Sequence, residues 1–211
     1  MKILCVSDQI DPLIYNGAIK QNYADIDIVL SAGDLPADYL DFIGNTLDKP
    51  IFFVFGNHHA DSRANEAYYV DAKVRREADL IVAGLGGSRL GLEDFRRDSR
   101  GRKGDNQFTD FIMNMKILKM FPSLLFNRFF RGRFLDVLLT HACPLGIHDK
   151  KEKFFTGFKC FLLFMKIFKP KYLVHGHVHH YDSGEKRTTL FHDTLVINAY
   201  GHYIIDTEKN T

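Results

Sequence analysis

Short apolar runs alternate with longer amphipathic segments along most of the chain. The apolar runs predict buried strands at residues 3–7, 28–32, 51–55, 80–84, 135–140 and 172–175. The segments between them predict helices at residues 17–23, 36–46, 64–77 and 154–168, and two helices within residues 109–130, divided at Pro122. Residues 188–191, 195–198 and 203–206 predict a small antiparallel meander. The alternation of strands and helices is typical of an α/β fold.

Polar motifs follow five of the predicted strands at the point where each strand ends. The residues concerned are Asp8, Asp34, Asn57, His58, His141, His177 and His179. In α/β sheets, ligands bind outside the carboxyl ends of the strands, so we expect these side chains to converge on one site. Seven of the ten histidines lie in three of these five places, which a random scatter rarely produces.

The residue types in these motifs suit a metal centre. Two carboxylates, one amide oxygen and three imidazoles are enough to hold two divalent ions, with one carboxylate shared between ions ~3.5–4 Å apart, as in two-metal hydrolases. Imidazole nitrogen suits Mn, Fe, Zn and Ni alike, so the pattern does not select the metal. Gly176, between two of the histidines, has no Cβ that keeps the backbone away from an ion. Taken singly, Asp8 and Asp34 also fit ordinary turn or cap aspartates.

Composition limits the partners and the location of the protein. With 211 residues, 45% of them hydrophobic, we expect one domain over residues 1–211. A formal charge of +2 gives no strong indication of nucleic-acid binding. The sequence does not predict the oligomeric state. Three cysteines without a CxxC pair favour a reduced, cytoplasmic protein, and Cys143 is interpreted as a packing residue. We expect no signal peptide and no membrane span.

The motifs Ser7-Asp8, Gly33-Asp34, Gly56-Asn57-His58, Thr140-His141 and Gly176-His177-Val178-His179 occur in an order that resembles the calcineurin-like metallophosphoesterases. Within that family the sequence is similar to the bacterial predicted phosphoesterases related to the cyclic-nucleotide phosphodiesterase Icc. The resemblance implies a four-layer α-β-β-α sandwich of two mixed β-sheets. It also implies hydrolysis of a phosphomonoester or phosphodiester by attack of a metal-held hydroxide.

The resemblance also implies a role for each motif residue. Asp8, Asp34 and His179 would hold one ion, and Asp34, Asn57, His141 and His177 would hold the other, with Asp34 as the bridge. His58 would be the catalytic imidazole beside the leaving group.

Two positions depart from the family pattern, and each weakens one expectation. Ile10 stands where the family has a ligating histidine, so the ion at Asp8, Asp34 and His179 is expected to bind weakly unless Asp11 reaches it. His59 stands where the family has an acid that supports the catalytic imidazole. The alternatives are therefore a catalytically weakened scaffold that binds a protein partner and, with less support from the charge pattern, a nuclease.

Three further residues are candidates for the substrate cleft, namely His59, His148 and Arg89. Residues 111–134 and 154–173 combine lysine and arginine with phenylalanine, leucine and methionine, and contain no acid. Two interpretations stay open for them. They are outer helices packed on a sheet, with basic stems lying over apolar surface, or they contact a membrane surface or a lipid-like substrate.

Overall fold

Two β-sheets form the frame of the protein. The computed structural model describes residues 1–58, 68–90, 106–150, 155–179 and 186–209. The strands are β1 (Lys2–Ser7), β2 (Ile28–Ser31), β3 (Ile51–Phe53), β4 (Val74–Glu77), β5 (Leu80–Leu85), β6 (Ser88–Arg89), β7 (Gln107–Phe108), β8 (Val137–Thr140), β9 (Tyr172–His175), β10 (Thr188–Phe191), β11 (Thr194–Asn198) and β12 (Gly201–Asp206). The helices are α1 (Ile19–Asn22), α2 (Ala37–Leu47), α3 (Asp110–Arg131) and α4 (Lys159–Phe168).

Both large sheets are mixed. The four-stranded sheet has the order β12-β1-β2-β3, and the six-stranded sheet has the order β10-β11-β9-β8-β5-β4. Neighbours among β1, β2 and β3 are parallel, as are neighbours among β5, β8, β9 and β11, whereas β12, β10 and β4 pair antiparallel at the outside. Strands β6 and β7 form a separate two-stranded sheet.

Alternation along the strands builds three apolar layers between the elements. In β1, Ile3 and Cys5 join a core cluster shared with β8, β9 and β11 of the other sheet, whereas Leu4 and Val6 pack outward with residues of α1 and α2. A third cluster joins the outer face of the six-stranded sheet to α3 and α4. The order helices, sheet, sheet, helices confirms the predicted four-layer α-β-β-α sandwich.

The end of the chain does not form the predicted meander. Strands β10 and β11 make an antiparallel hairpin, but β11 then pairs parallel with β9. Strand β12 crosses to the other sheet, where Ile205 lies opposite Ile3 of β1. Both residues are buried in the cluster between the sheets, so this crossing closes the sandwich.

Two helix predictions are also wrong. The predicted helix over residues 64–77 is contradicted at Val74–Glu77, which is an edge strand paired with β5, while residues 64–67 lie outside the described part of the chain. The two helices expected around Pro122 are one continuous helix of 22 residues. Pro122 leaves the carbonyl of Leu118, four residues earlier, without its helical donor, and both residues lie on the exposed side of the helix. None of the helices in the described ranges is long and apolar enough to cross a membrane.

Candidate metal centre

The predicted site residues lie where the carboxyl ends of parallel strands from both sheets meet. Asp8 follows β1 and Asp34 follows β2 in the four-stranded sheet, while His141 follows β8 in the six-stranded sheet. One ligand atom from each of these three residues lies within 4.8 Å of the other two. The strand ends therefore bring Asp8, Asp34 and His141 together.

Contacts within the cluster are short and mostly buried. Nε2 of the buried His141 lies 3.3 Å from Oδ2 of Asp34 and 3.0 Å from Oδ1 of Asn57. The other ring nitrogen, Nδ1, lies 2.7 Å from the carbonyl oxygen of Ala32, so it carries the proton and donates to that oxygen. This tautomer leaves Nε2 as the nitrogen that faces the two oxygens.

Asp8 is fixed by its neighbours on both sides. Its Oδ2 accepts a hydrogen bond from Ser7 Oγ at 2.5 Å and another from the backbone N–H of His177 at 2.8 Å. Its Oδ1 lies 3.9 Å from Nε2 of His179. Asp8 thus connects the end of β1 with the loop after β9.

Three of the predicted metal ligands have left-handed backbone conformations. The φ angles are 62° for Asp8, 56° for Asp34 and 64° for His177. Non-glycine residues rarely adopt this region, and such strain clusters at functional sites. Asp8 comes directly after β1, His177 two residues after the end of β9 and Asp34 three residues after the end of β2, so all three lie beyond the regular strand backbone.

Glycines allow the chain to approach the cluster closely. A Cβ on Gly56 would overlap the Asp34 carboxylate and lie 2.7 Å from Cε1 of His141. A Cβ on Gly176 would overlap Ser7 Oγ and Asp8 Oδ2. Gly33, with φ of 103°, would place its Cβ 2.8 Å from Nδ1 of His141. The space around the three groups is available only because these positions lack a side chain.

The charges of the cluster favour a cation among its members. Burial acts to raise the pKa of Asp34, but its hydrogen bond to His141 and the charge of that ring lower the pKa to about 2. Burial acts to lower the pKa of His141, yet Asp34 and Asp8 raise it above its ordinary value. Burial raises the pKa of Asp8. The three groups stabilise a positive charge between them, which either the His141 proton or a divalent ion supplies, so the donor set fits a metal.

The remaining predicted ligands lie around this cluster. The ring centroid of His177 is 4.9 Å from that of His141. His58 is exposed, and its backbone N–H donates to Oδ1 of Asp34 at 3.1 Å. Asp11 does not join the cluster, because its Oδ2 lies 2.6 Å from Nδ1 of His202 and its Oδ1 accepts from the amide of Leu13.

The candidate cleft residues have different surroundings. His148 Nδ1 lies 2.9 Å from Nε2 of the buried His175, and its Nε2 lies 2.9 Å from Thr189 Oγ1. Arg89 forms an ion pair with Asp110 at 2.9 Å. His59 lies outside the described residues. Cys143 is buried, and burial raises the pKa of its thiol to about 12, in agreement with a packing role.

Three residues at the site were not predicted from the sequence. The ring centroid of His179 lies 6.2 Å from that of Phe155 and 4.9 Å from that of Tyr200. Asn198 is buried and donates from Nδ2 to the carbonyl oxygen of Val178, which holds the loop that carries His177 and His179. Because β11 runs parallel to β9, Asn198 and Tyr200 obey the same strand-end rule as the predicted ligands. They were not predicted because the sequence pattern places this segment in an antiparallel meander.

Comparisons with known proteins agree with this geometry. The family model described as calcineurin-like phosphoesterase matches residues 1–181. The chain belongs to this family. Membership implies divalent metal ions and phosphate-ester substrates, and in the described part of the chain Asp8, Asp34 and His141 form a group that could hold an ion.

Solved structures show the same fold at low identity. One crystal structure shares 15% identity at a TM-score of 0.68, and the protein TT1561 of Thermus thermophilus shares 13% at 0.62; each alignment covers 100% of this chain and 96% of the other. A novel archaeal phosphodiesterase shares 16% identity at a TM-score of 0.48, with the same coverage. No curated protein matches the chain in sequence.

Proposed function

We propose that this protein is a metal-dependent hydrolase of phosphomonoesters or phosphodiesters, and that it acts at the cluster of Asp8, Asp34 and His141. The observation that carries the proposal is the convergence of these three ligand atoms within 4.8 Å at the edge where the two sheets meet. Family membership supports the reaction class.

In this proposal the ligands divide into two sets. Asp8, Asp34 and His179 would hold one divalent ion. Asp34, Asn57, His141 and His177 would hold the other, so that Asp34 would be shared. Ions bound there would activate a water molecule and neutralise the phosphoryl oxygens of the ester. The orientation of His141 supports its assignment, because the hydrogen bond from Nδ1 to Ala32 directs Nε2 toward Asp34 and Asn57, where an ion would take the place of the Nε2 proton.

His58 is the residue that would act on the leaving group. Its amide is anchored to the Asp34 carboxylate, while the residue itself is exposed to solvent. A phosphate ester bound by ions at Asp34 would lie near residue 58, where the imidazole would stabilise or protonate the departing oxygen.

Turnover of a nitrophenyl phosphodiester with added Mn²⁺ tests the proposal. We expect metal-dependent hydrolysis by the unaltered protein and a loss of about 10²-fold or more in Asp34→Asn, because that change removes the shared carboxylate. Asp41→Asn is the matched control, since it alters an exposed aspartate on α2. Equal activity in the two variants would contradict the assignment.

A second function, binding of a protein partner without turnover, is favoured by one observation. Ile10 replaces a ligating histidine, and Asp11 is engaged by His202 instead of joining the cluster. Metal binding that Asp34→Asn abolishes, together with no hydrolysis of nitrophenyl monoesters or diesters by the unaltered protein, would select this function over the first.

A further inference from the structure

Helix α3 is apolar on two opposite sides. Met113, Met120 and Leu124 are buried against the six-stranded sheet. A second apolar row follows the helical period on the other side, with spacings of alternately four and three residues. Its members are Phe111, Met115, Leu118, Pro122, Leu125 and Phe129. We call this row the outer stripe.

The outer stripe is exposed along its whole length. Phe111 is 73% exposed, Leu118 is 60% exposed and Phe129 is 84% exposed. The two phenylalanines alone present about 300 Å² of ring surface. Leu163 and Ile167 of the neighbouring helix α4, which covers the same sheet, are also exposed. A continuous apolar surface of this extent marks an interaction site, unlike scattered single residues.

Basic residues predominate around the stripe, although Asp110 begins α3 and Lys116, Arg133 and Lys169 pair with acids outside the two helices. Residues 111–134 and 155–173 contain nine lysines and arginines and no acid, although the chain as a whole has nearly equal numbers, 28 and 26. From the helical period, Lys119 lies on one flank of the stripe and Arg128 on the other, and both are exposed. Lys159 and Lys166 are exposed on α4. The apolar surface thus has basic borders, as in a helix that lies in a membrane interface.

We propose that the outer face of α3 and α4 docks on the surface of an anionic phospholipid bilayer. The aromatic and aliphatic side chains of the outer stripe enter the region between headgroups and acyl chains. The basic side chains on its flanks contact the anionic headgroups. Docking of this kind requires no membrane-spanning helix.

The spacing of the outer stripe would also suit contact with a second copy of the chain, but the residues beside the stripe disfavour such a dimer. In a coiled coil, interhelical ion pairs form at the positions beside the apolar stripe. Here these positions hold Ile112, Asn114, Lys119, Phe121, Phe126 and Arg128. The charged ones are all basic. Two copies would bring like charges together, and Pro122 would stand at the centre of their contact, whereas an anionic bilayer complements the same charges.

Co-sedimentation of the full chain with lipid vesicles tests the inference. The probes are vesicles of phosphatidylcholine alone and vesicles of equal parts phosphatidylcholine and phosphatidylglycerol. We expect binding to the anionic vesicles, much weaker binding to the neutral ones, and a decrease of the former as salt rises. Asp34→Asn should bind vesicles as the unaltered protein does, so loss of catalysis and loss of docking are distinguishable.

Three variants separate the contributions. Phe129→Ser should lower the partition coefficient about tenfold, since it removes the most exposed ring of the stripe. Lys119→Gln should lower binding to anionic vesicles about fivefold and leave neutral vesicles unaffected. Leu13→Ser is the control, because Leu13 is 63% exposed on the loop that packs beside α2, in the opposite outer layer. It should bind as the unaltered protein does.

Thermal unfolding of each variant establishes whether the fold is intact. We expect it to be intact, because the side chains of Phe129, Lys119 and Leu13 are all exposed. Equal binding to both vesicle types, or equal losses in Leu13→Ser and Phe129→Ser, would overturn the inference. So would a lipid-independent dimer in sedimentation equilibrium that Phe129→Ser dissociates, because the occupant would then be a second copy.

Discussion

Substitution of Gly56 by alanine perturbs the metal centre without touching a ligand. The new Cβ would overlap the Asp34 carboxylate and lie 2.7 Å from Cε1 of His141, whereas real Cβ atoms stay at least 3.0 Å from such neighbours. Asp34 has a short side chain held by the amide of His58, so its carboxylate must move by roughly 1 Å. Metal–ligand distances tolerate errors of only about 0.2 Å. A displacement of about 1 Å is therefore expected to lower the rate about 10²-fold.

The same substitution should also lower the stability of the fold. Overpacking costs about 1–3 kcal/mol, which corresponds to a Tm decrease of about 2–12 °C for a chain of this size. Gly17→Ala is the matched control, since a Cβ there has no atom within 4 Å. We would measure the metal content, the Tm and the rate on a nitrophenyl phosphodiester for both variants. If Gly56→Ala keeps the metal content and rate of Gly17→Ala, the cluster is not the metal site.

The other predictions concern single side chains. His58→Ala should retain its metal and lose about 10²–10⁴-fold in rate with a poor leaving group, but much less with nitrophenolate; equal losses would exclude proton donation. Ile10→His should lower the Mn²⁺ concentration for half-maximal rate roughly tenfold, because Ile10 is exposed and leaves space for a ring; an unchanged titration would refute this. In chelator-treated protein, burial acts to lower the pKa of His141, but the carboxylates Asp34 and Asp8 raise that pKa above its ordinary value. The contribution of His141 to the free energy of unfolding is therefore present at low pH and declines as the pH rises through the raised pKa. Unfolding free energies across neutral pH should show this decline, and His141→Asn should remove it.

Strand ends carry the part of the site that is predictable from sequence. A buried parallel strand is a short apolar run, and its carboxyl end lies at the ligand-binding edge of a sheet. The positions of Asp8, Asp34 and His141 therefore predict that the three side chains converge, and the cluster agrees. Their left-handed backbone and close glycines follow from the same turns but need coordinates to be seen.

Long-range pairing accounts for what the sequence does not predict. The run at residues 203–206 looks like one more strand of a local meander, but Lys2 pairs with Asp206 across almost the whole chain. No local pattern specifies β1 as the partner of β12, because this pairing depends on the packing of Ile205 in the core between the two sheets. The same error conceals Asn198 and Tyr200, since a meander makes β11 antiparallel to its neighbours instead of parallel to β9.

Pro122 illustrates the limit of local rules within one helix. A proline usually ends or kinks a helix because it removes one hydrogen bond and crowds a carbonyl. In α3 this carbonyl belongs to Leu118, an exposed residue of the outer stripe, where water is available to it. The core side of the helix, with Met113, Met120 and Leu124, is uninterrupted. Tertiary packing of that side therefore outweighs the local signal.

Crystals soaked in Mn²⁺ and measured by anomalous diffraction test the central claim most directly. We expect two anomalous peaks ~3.5–4 Å apart, with Asp34 between them, Asp8 and His179 at one peak, and Asn57, His141 and His177 at the other. The peak at Asp8 and His179 should have the lower occupancy, because Ile10 supplies no ligand there. The absence of a peak within coordinating distance of Asp34 at saturating Mn²⁺ would contradict the account.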